Sequence, residues 1–430
     1  MQESTKRHIL IIAIVVSLLP AILLPQPPSM ISASSISLYV SAIFGYTGVV
    51  LLLWMYIIGA KGLFGIFFED LAPVLKIHKW IGKYGTLAIF VHPLLITFSY
   101  GESLLYSFIP LSNTWTERHI LLGQIAFWLL LLIWFLSALI RDKLNWRVWR
   151  YLHMLAYICV PFVLLHIPDL GSQQRAHALV NAYFMMLVAT FIVITVIRLV
   201  SLFNLDRTKY RITRHIRLTA IDYMLRLEPV GSRRLAPRFG QYLYIKLGFM
   251  SEDHPFSVTQ YDPASGAITI TYRLAGMYTR QMATSQEGDI VLLSGPYGSF
   301  MGDIADESTP IVYLAGGIGI TPFMGPILQD GTNQWLFSAN RTRDLALFGK
   351  HLKDSLGTRV ISVYSRVDGE PKPQEEMGYI SADMLQKYLG DLGKYRYYLC
   401  GPPAMMQSMR SMLYSAGIPT RNVHSEEFGW

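Results

Sequence analysis

The first half of the chain alternates between long apolar stretches and short polar ones. Six apolar stretches can be marked, at about residues 8–26, 37–60, 78–100, 118–140, 150–168 and 178–203. Each is close to the ~20 residues that a helix needs to cross the hydrocarbon core of a bilayer. The pattern therefore predicts a membrane α-helical bundle of six transmembrane helices.

Two of these apolar stretches contain histidines well inside them. The stretch Leu75–Ile96 holds His78 and His92, and a later stretch holds His153 and His166. A histidine in hydrocarbon is costly unless something binds it, and imidazole is a common axial ligand of haem iron. We therefore predict that these four side chains bind metal, as the ligands of two haems. The histidines at segment ends are interpreted as ordinary polar residues: His8, His119 and His177.

The spacing within each pair suits two haems stacked across the membrane. Fourteen residues separate His78 from His92, which is roughly 21 Å along a helix, with the second ring within about 40° of the first. Thirteen residues separate His153 from His166, which turns a straight helix about 140° from the starting face. We expect this helix either to be rewound or to present each ligand differently, and Pro161 between the two histidines is the candidate cause. If both helices run outward, His78 pairs with His153 near the cytoplasmic face, and His92 pairs with His166 near the outer face.

The pattern changes after about residue 207. Short alternating runs such as RITRHIRL, QYLYIKL and AITITYRL, broken by Gly, Pro and Asp, predict an antiparallel β-barrel. From Pro310 onward the strands IVYLAG, QWLFSAN, RVISVYS and YRYYLCG alternate with helices, which predicts a parallel α/β sheet. The sequence thus divides into a transmembrane domain at 1–206, a barrel domain at 207–305 and an α/β domain at 306–430.

Composition and charge refine this picture. The mean hydropathy of +0.34 is too high for an ordinary soluble protein, so the lipid bilayer is a predicted partner. The net charge of +8 comes largely from basic residues in loops on one side of the apolar stretches, which indicates topology and not nucleic-acid binding. We therefore expect a multi-pass protein of the cell membrane, with both termini and the second half in the cytoplasm. The first apolar stretch could instead be a cleaved signal peptide.

Cysteine content limits the redox chemistry that is available. The chain has two cysteines, Cys159 and Cys400, in different regions. This excludes a disulfide framework and a cysteine-ligated iron–sulfur cluster. Any electron transfer must therefore use other cofactors.

The barrel contains a motif that suits a flavin. His254, Pro255, Phe256 and Ser257 open a predicted strand, and Arg273 follows about twenty residues later. After Arg273 comes a predicted helix start, formed by Gly276, Met277, Tyr278 and Thr279. A polar edge beside a planar ring, followed by an arginine and a helix start, is what a flavin with a pyrophosphate needs.

The α/β domain contains two Gly-rich turns, each following a strand. The first joins a strand to a helix predicted from Thr321, and its residues are Gly316, Gly317, Ile318, Gly319, Ile320, Thr321 and Pro322. The second is formed by Cys400, Gly401, Pro402 and Pro403. Glycines admit a phosphate to the backbone, and proline favours the first turn of a helix. The first turn lacks the third glycine of GxGxxG, which disfavours a two-domain Rossmann dehydrogenase.

Together these motifs make the whole chain resemble the ferric reductase and NADPH oxidase superfamily. The four histidines, HPFS, GPYG at 295–298, GGIGITP and CGPP match in order. The resemblance implies a six-helix di-haem domain fused to a ferredoxin-NADP reductase-like module. It also implies that residues 254–257, 273 and 276–279 contact FAD, and that residues 316–322 and 400–402 line the nicotinamide nucleotide.

The resemblance predicts a transmembrane oxidoreductase. Electrons would pass from cytoplasmic NADPH through FAD and two bis-histidine b-type haems to an extracytoplasmic acceptor, either oxygen or a ferric chelate. Some eukaryotic members have a further histidine one turn beyond the outer ligand, where this chain has Ile96. No segment typical of partner docking is apparent, so no obligate protein partner is predicted. The alternative is a haem-binding membrane transport or sensor protein with a nucleotide-sensing module.

Two further expectations concern the nucleotide. Ser365 and Arg366 end a predicted strand, and a hydroxyl beside a guanidinium suits the 2′-phosphate of NADPH. The chain ends in HSEEFGW, and the resemblance implies an aromatic over the flavin face, with Phe428 favoured over Trp430. The alternative for this tail is a packing plug or a frayed end. Ser257, Cys400 and Phe428 are the predicted catalytic residues.

Overall fold

The computed structural model describes residues 3–427 except 27–31, 61–62, 65–66, 69–71, 104–108, 111, 250, 303–308 and 368. The chain forms two compact units, residues 1–202 and residues 203–430. We call them the membrane unit and the barrel–sheet unit.

In the part of the membrane unit that the structure describes, the regular secondary structure is helical. Its helices are α1 (Glu3–Ile22), α2 (Ala33–Ile58), α3 (Ala72–Trp80), α4 (Thr86–Tyr100), α5 (Trp115–Ala138), α6 (Trp146–His153), α7 (Ala156–Leu170), α8 (Ser172–Ala176) and α9 (Ala178–Leu202). Over the described residues they provide six spans long and apolar enough to cross a membrane, as predicted. Helix α2 packs against α4, and α5 packs against α7. The histidine-bearing helices therefore each have a long helix beside them.

Local hydrogen bonds fix where the helices start. At the start of α5, the Glu117 backbone N–H donates to the Thr114 hydroxyl at 3.1 Å. The Glu117 carboxylate in turn accepts from the Thr114 backbone N–H at 2.9 Å. Such a reciprocal pair satisfies two donors that a helix end otherwise leaves unpaired.

Both histidine-bearing spans depart from straight helices. A π-helical segment at Ile81–Gly85 lies between His78 and His92, and an inserted residue rotates the rest of the helix by about 100°. The straight-helix angle predicted for this pair is therefore wrong. In the other span, helix α6 ends at His153 and α7 begins at Ala156.

The rewinding predicted for the second span is present, and it lies on the N-terminal side of Pro161. The N–H groups of Tyr157 and Ile158 donate to carbonyls three residues earlier, those of Met154 and Leu155, both at 3.0 Å. This tight turn directly follows the first histidine. Pro161 lies further on, inside α7.

The barrel–sheet unit starts with a closed antiparallel barrel, as predicted. Its strands are β1 (Thr208–Arg217), β2 (Asp222–Pro229), β3 (Tyr242–Lys246), β4 (His254–Asp262), β5 (Ala267–Arg273) and β6 (Ile290–Tyr297), in the order β1-β2-β5-β4-β3-β6. Along the first half of β1, buried Thr208, Tyr210 and Ile212 alternate with exposed Lys209 and Arg211. This period of two fills the barrel interior with apolar side chains. Helix α10 (Met277–Met282) follows β5.

A six-stranded parallel sheet follows the barrel. Its strands are β7 (Ile311–Gly316), β8 (Gln334–Asn340), β9 (Val360–Tyr364), β10 (Glu375–Met377), β11 (Arg396–Gly401) and β12 (Val423–Glu427), in the order β10-β9-β8-β7-β11-β12. One face is covered by α11 (Met324–Gln329) and α12 (Gly349–Leu356), and the other by α13 (Ala382–Leu389) and α14 (Pro403–Ser415). All six residues of β7 are buried, which explains its unbroken apolar run.

One local expectation for this sheet was wrong. The first Gly-rich turn continues as a 3-10 helix at Gly317–Phe323, and the α-helix begins only at Met324, three residues after Thr321. Gly317 has a φ of +55° and Pro322 lacks an N–H to donate, so a tighter turn replaces the first α turn. At the chain end, Val423–Glu427 forms an edge strand paired with β11, which the sequence analysis did not assign.

Candidate functional site

The structure brings His78 and His153 together in the membrane unit. Their ring centroids are 6.2 Å apart, and the ring planes meet at 67°. Two imidazoles on opposite sides of one iron have ring centres about 6.2 Å apart, given metal–nitrogen bonds of about 2.0 Å and about 1.1 Å from nitrogen to ring centre. The geometry of this pair therefore fits two axial ligands of a haem.

The structure also places His92 and His166 in one cavity, of about 610 Å³. Nδ1 of His92 lies 2.9 Å from the Ser41 carbonyl oxygen, and Nδ1 of His166 lies 2.7 Å from that of His119. A carbonyl only accepts, so each Nδ1 carries the proton, and each Nε2 keeps a lone pair for a metal. Both rings are therefore held in the tautomer that a haem ligand needs.

Glycines allow the neighbouring helices to approach these rings. A Cβ on Gly45 would lie 3.0 Å from Nδ1 of His92, and one on Gly123 would lie 2.5 Å from Nδ1 of His166. Real Cβ atoms essentially never approach another heavy atom closer than 3.0 Å. The sequence analysis missed both glycines, although each lies in an apolar stretch where alanine would favour the helix more.

The donor set suits haem better than a bare metal ion. Among the described residues, no three His, Cys, Asp or Glu side chains cluster around a point where an ion could sit. A bare transition-metal ion usually takes three or four protein ligands, whereas a haem iron takes four nitrogens from its own macrocycle. Two histidine pairs are therefore sufficient for two haems. Ile96 also lines the outer cavity.

In the barrel, the predicted flavin motif gathers at the start of β4 and at α10. The His254 ring stacks on Tyr278 with centroids 3.8 Å apart and planes at 14°, and Phe256 lies 6.1 Å from the same Tyr278 ring. The Thr279 hydroxyl accepts from the backbone N–H groups of Ala275 at 2.9 Å and of Gly276 at 3.1 Å. Burial raises the pKa of Tyr278, so its hydroxyl stays protonated and donates to the Ile245 carbonyl.

Ser257 offers the clearest sign of an absent partner in this motif. Its side chain is buried, and its hydroxyl oxygen has no hydrogen-bond partner among the described residues. A buried hydroxyl without a partner costs roughly 1–3 kcal/mol. A flavin edge with ring nitrogens and carbonyl oxygens would satisfy it, so the residues present fit this cofactor.

Arg273 is anchored by an acid that the sequence analysis missed. Its Nε and Nη2 donate to the two carboxylate oxygens of Asp222 at 2.7 and 3.0 Å, and Asp222 is fully buried. The remaining nitrogen, Nη1, faces the first Gly-rich turn, because a Cβ on Gly317 would lie 2.9 Å from it. Arg273 therefore places one free edge of a guanidinium between the barrel and the sheet, where it can meet a phosphate.

The two Gly-rich turns meet at the carboxyl edge of the sheet. Strands β7 and β11 are parallel neighbours, with Ala315 opposite Cys400. A Cβ on Gly319 would lie 2.3 Å from the Cys400 carbonyl oxygen, and one on Gly401 would lie 3.1 Å from the Gly316 backbone. Only glycine fits at 319, and the contact leaves a backbone surface that a dinucleotide can approach.

The Cys400 thiol is buried and unreactive. Its side chain is 0% exposed, and burial, with a smaller contribution from Glu426, raises the pKa of its thiol well above the ordinary value. The thiol is therefore protonated at neutral pH and is a poor nucleophile. Glu426 lies opposite Cys400 in the β11–β12 register, and it also approaches the GPYG turn, since a Cβ on Gly298 would lie 3.7 Å from its Oε1. The sequence analysis assigned no role to this carboxylate, because it considered only the aromatic residues at the chain end.

Ser365 and Arg366 lie at the carboxyl end of β9, beside the end of β8. The Ser365 N–H donates to the Asn340 carbonyl at 3.2 Å, and the Arg366 N–H donates to the Arg341 carbonyl at 2.9 Å. Both arginine side chains are exposed at this edge. Arg341, which the sequence analysis did not assign, thus lies next to Arg366. The predicted catalytic Phe428 and its alternative Trp430 lie outside the described residues.

Comparison with known proteins finds one family match in each half of the chain. Residues 44–165 match the family described as ferric reductase like transmembrane component, and this range ends one residue before His166. Residues 313–411 match the family described as oxidoreductase NAD-binding domain, which includes both Gly-rich turns.

Curated relatives match part of the chain. The phenol hydroxylase P5 protein of Acinetobacter pittii is 28% identical over 208 residues, which is 44% of this chain and 57% of the relative. The flavohemoprotein of Bordetella pertussis is 27% identical over 213 residues, 44% of this chain and 52% of the relative. The chain thus spans less than two thirds of the length of these relatives.

Among solved structures, the FAD/NAD-binding domain of nitric oxide dioxygenase from Vibrio cholerae aligns with a TM-score of 0.47 and 20% identity. The alignment covers 52% of this chain and 100% of that domain. The chain therefore combines, in this order, six apolar spans that include a segment similar to a ferric reductase like transmembrane component and a later segment similar to an oxidoreductase NAD-binding domain.

Proposed function

We propose that this protein transfers electrons from NADPH, through FAD and two b-type haems, to an acceptor on the opposite side of the membrane. The observation that supports it most is the grouping of four half-buried histidines in the membrane unit, His78 beside His153 and His92 in one cavity with His166. His78 and His153 would hold the inner haem, and His92 and His166 the outer one. Two imidazoles leave an iron no open position, so each haem would supply one-electron transfer at its edge and not binding of the acceptor to the metal.

The barrel–sheet unit supports the input side of this proposal. The close approach at Gly316 and Gly319 gives a dinucleotide access to backbone N–H groups. Exposed Arg341 and Arg366 provide two guanidinium groups for a 2′-phosphate. A bound flavin would supply the conversion of a hydride into single electrons.

Ser257 would orient that flavin through its hydroxyl, which has no partner among the described residues. Cys400 would pack beside the nicotinamide as a neutral thiol. Phe428 would cover the flavin face until the nucleotide displaces it.

The charge distribution supports a cytoplasmic location for the barrel–sheet unit. Arg141 and Lys143 follow α5, at the same end as Ser137 and His153. The Arg141 guanidinium lies 4.5 Å from the centre of the Trp149 ring, an arrangement typical of residues at a membrane surface. The proposed acceptor on the other side is oxygen, giving superoxide, or a ferric chelate.

An anaerobic spectrum tests this proposal. NADPH added to the purified protein in detergent with FAD should convert its spectrum to that of a reduced, six-coordinate b-type haem. His78→Ala and His153→Ala should each lose one haem while keeping the flavin. A protein without haem, or with haem that NADPH does not reduce, would contradict the proposal and favour a transport or sensor role. Superoxide yield, compared with chelate reduction in the presence of superoxide dismutase, then distinguishes the two acceptors.

A further inference from the structure

The two outer histidines each direct Nδ1 at a backbone carbonyl, and Nδ1 of His92 also lies 3.0 Å from the Ser41 hydroxyl oxygen. Nδ1 of His153 instead lies 3.2 Å from the Ser137 hydroxyl oxygen, on helix α5. The strength of a hydroxyl as acceptor depends on its other partners, so this contact can be adjusted in a way that a backbone carbonyl cannot.

The Ser137 hydroxyl has a second donor close by. The indole N–H of Trp149 donates to the same oxygen at 3.1 Å. Its ring also stacks on His153, with centroids 4.8 Å apart and planes at 25°. Trp149 is four residues before His153, so both lie on one face of α6. One oxygen thus serves the histidine and the tryptophan that covers it.

The tautomer of His153 sets the direction of its hydrogen bond. If Nε2 binds a metal, the ring proton is on Nδ1, and Nδ1–H donates to Ser137. Ser137 then accepts two N–H groups, which compete for the same electron density. Trp149 therefore weakens Ser137 as an acceptor for His153.

We propose that Ser137 is a positioning residue for His153, and that Trp149 sets the reduction potential of the inner haem through the Ser137 hydroxyl. This inference rests on the proposed function, in which His78 and His153 hold that haem. A stronger hydrogen bond from Nδ1–H makes an imidazole a stronger electron donor to the metal. Stronger donation favours the ferric form and lowers the midpoint potential.

Two substitutions should shift this potential in opposite directions. Ser137→Ala removes the acceptor, so the His153 imidazole donates less electron density to the metal and the midpoint potential of the inner haem rises. Trp149→Phe removes the competing N–H and keeps a ring on His153, so the inner midpoint falls. Ser137→Thr keeps the hydroxyl and should restore the wild-type midpoint. Loss of packing alone would not produce opposite signs.

The membrane unit contains a matched control. The Trp54 indole N–H donates to the Ser17 hydroxyl at 2.8 Å, the same pair of residue types, on helices α1 and α2. Ser17→Ala and Trp54→Phe remove this bond, and both should leave the two midpoints unchanged.

The experiment is a redox titration of the purified full-length protein, followed by haem absorbance, with low-spin haem EPR as a second readout. We expect one of two components to shift up in Ser137→Ala and down in Trp149→Phe, with an altered EPR signal for that component only. Unchanged midpoints, or shifts in the same direction, would overturn the assignment. If Ser137→Ala does not fold, Trp149→Phe and Ser137→Thr still test whether Trp149 acts on the inner haem through the Ser137 hydroxyl. A wild-type protein without two haem components would instead overturn the proposed function, and this inference with it.

Discussion

Gly123 gives the sharpest test of how the outer histidine pair is built. A Cβ at this position would lie 2.5 Å from Nδ1, 2.6 Å from Cε1 and 3.0 Å from Cγ of His166. Ordinary van der Waals contact needs 3.4–4 Å, so Gly123→Ala forces the ring to move by about 1 Å. The ring would then leave the His119 carbonyl, which holds Nδ1 at 2.7 Å.

The size of the effect follows from the lost positioning. Losing a partner that orients a metal-binding histidine typically weakens metal affinity by about 10- to 100-fold, or about 1.4–2.8 kcal/mol. We therefore expect Gly123→Ala to lose the outer haem and keep the inner one. Gly45→Ala should be milder, because its Cβ would lie 3.0 Å from His92.

The assay is the haem content of each purified variant relative to its flavin content. Gly82→Ala is the matched control, since its nearest contact would be an ordinary 3.5 Å to Sδ of Met55. We expect two haems in Gly82→Ala and one in Gly123→Ala. Two haems with an unchanged spectrum in Gly123→Ala would refute the close approach of this helix to His166.

Three other predictions concern the barrel–sheet unit. Arg366→Ala should raise the KM for NADPH by about 10- to 100-fold, the cost of a lost charge-assisted phosphate contact, with little change for NADH; equal effects would contradict a 2′-phosphate role. Hydrogen bonds from Arg343 lower the pKa of Glu375, so this pair stabilises the fold at neutral pH and the benefit is lost as pH falls through the lowered pKa. Glu375→Gln should therefore lower the free energy of unfolding by about 1 kcal/mol or less at neutral pH, and this variant should lose less stability on acidification than wild type. Thermal unfolding of both proteins across a pH series measures the difference. Because burial raises the pKa of Cys400, a thiol reagent at about pH 8 should not modify it until the protein is denatured, and rapid labelling of the native protein would contradict its burial.

The sequence predicted those features that depend on local pattern. Apolar runs of membrane-spanning length and strands with a period of two produced the helices, the barrel and the sheet. The pairing of His78 with His153 followed from segment order alone. The angles between the two histidines of each span, measured around the helix axis, did not follow from the sequence. The π segment at Ile81–Gly85 and the break after His153 depend on packing between helices and not on local propensity.

Contacts made across the fold were also beyond the sequence. Asp222 is the anchor of Arg273 only because β2 and β5 pair. Gly123 contacts His166 only because α5 packs against α7. Glu426 reaches Cys400 through the pairing of edge strand β12 with β11, which the sequence pattern did not predict. Each of these depends on a partner distant in sequence, for which a single chain gives no signal.

Electron transfer across a closed bilayer tests the central claim most directly. The full-length protein would be placed in vesicles that contain ferricyanide, a membrane-impermeant one-electron acceptor, and NADPH would be added only outside. With the barrel–sheet unit facing outward, we predict that the entrapped ferricyanide is reduced without lysis, and that His166→Ala abolishes this reduction while haem reduction at the inner site persists. NADPH oxidation with reduced haem, but with ferricyanide reduced only after the vesicles are lysed, would contradict transmembrane electron transfer.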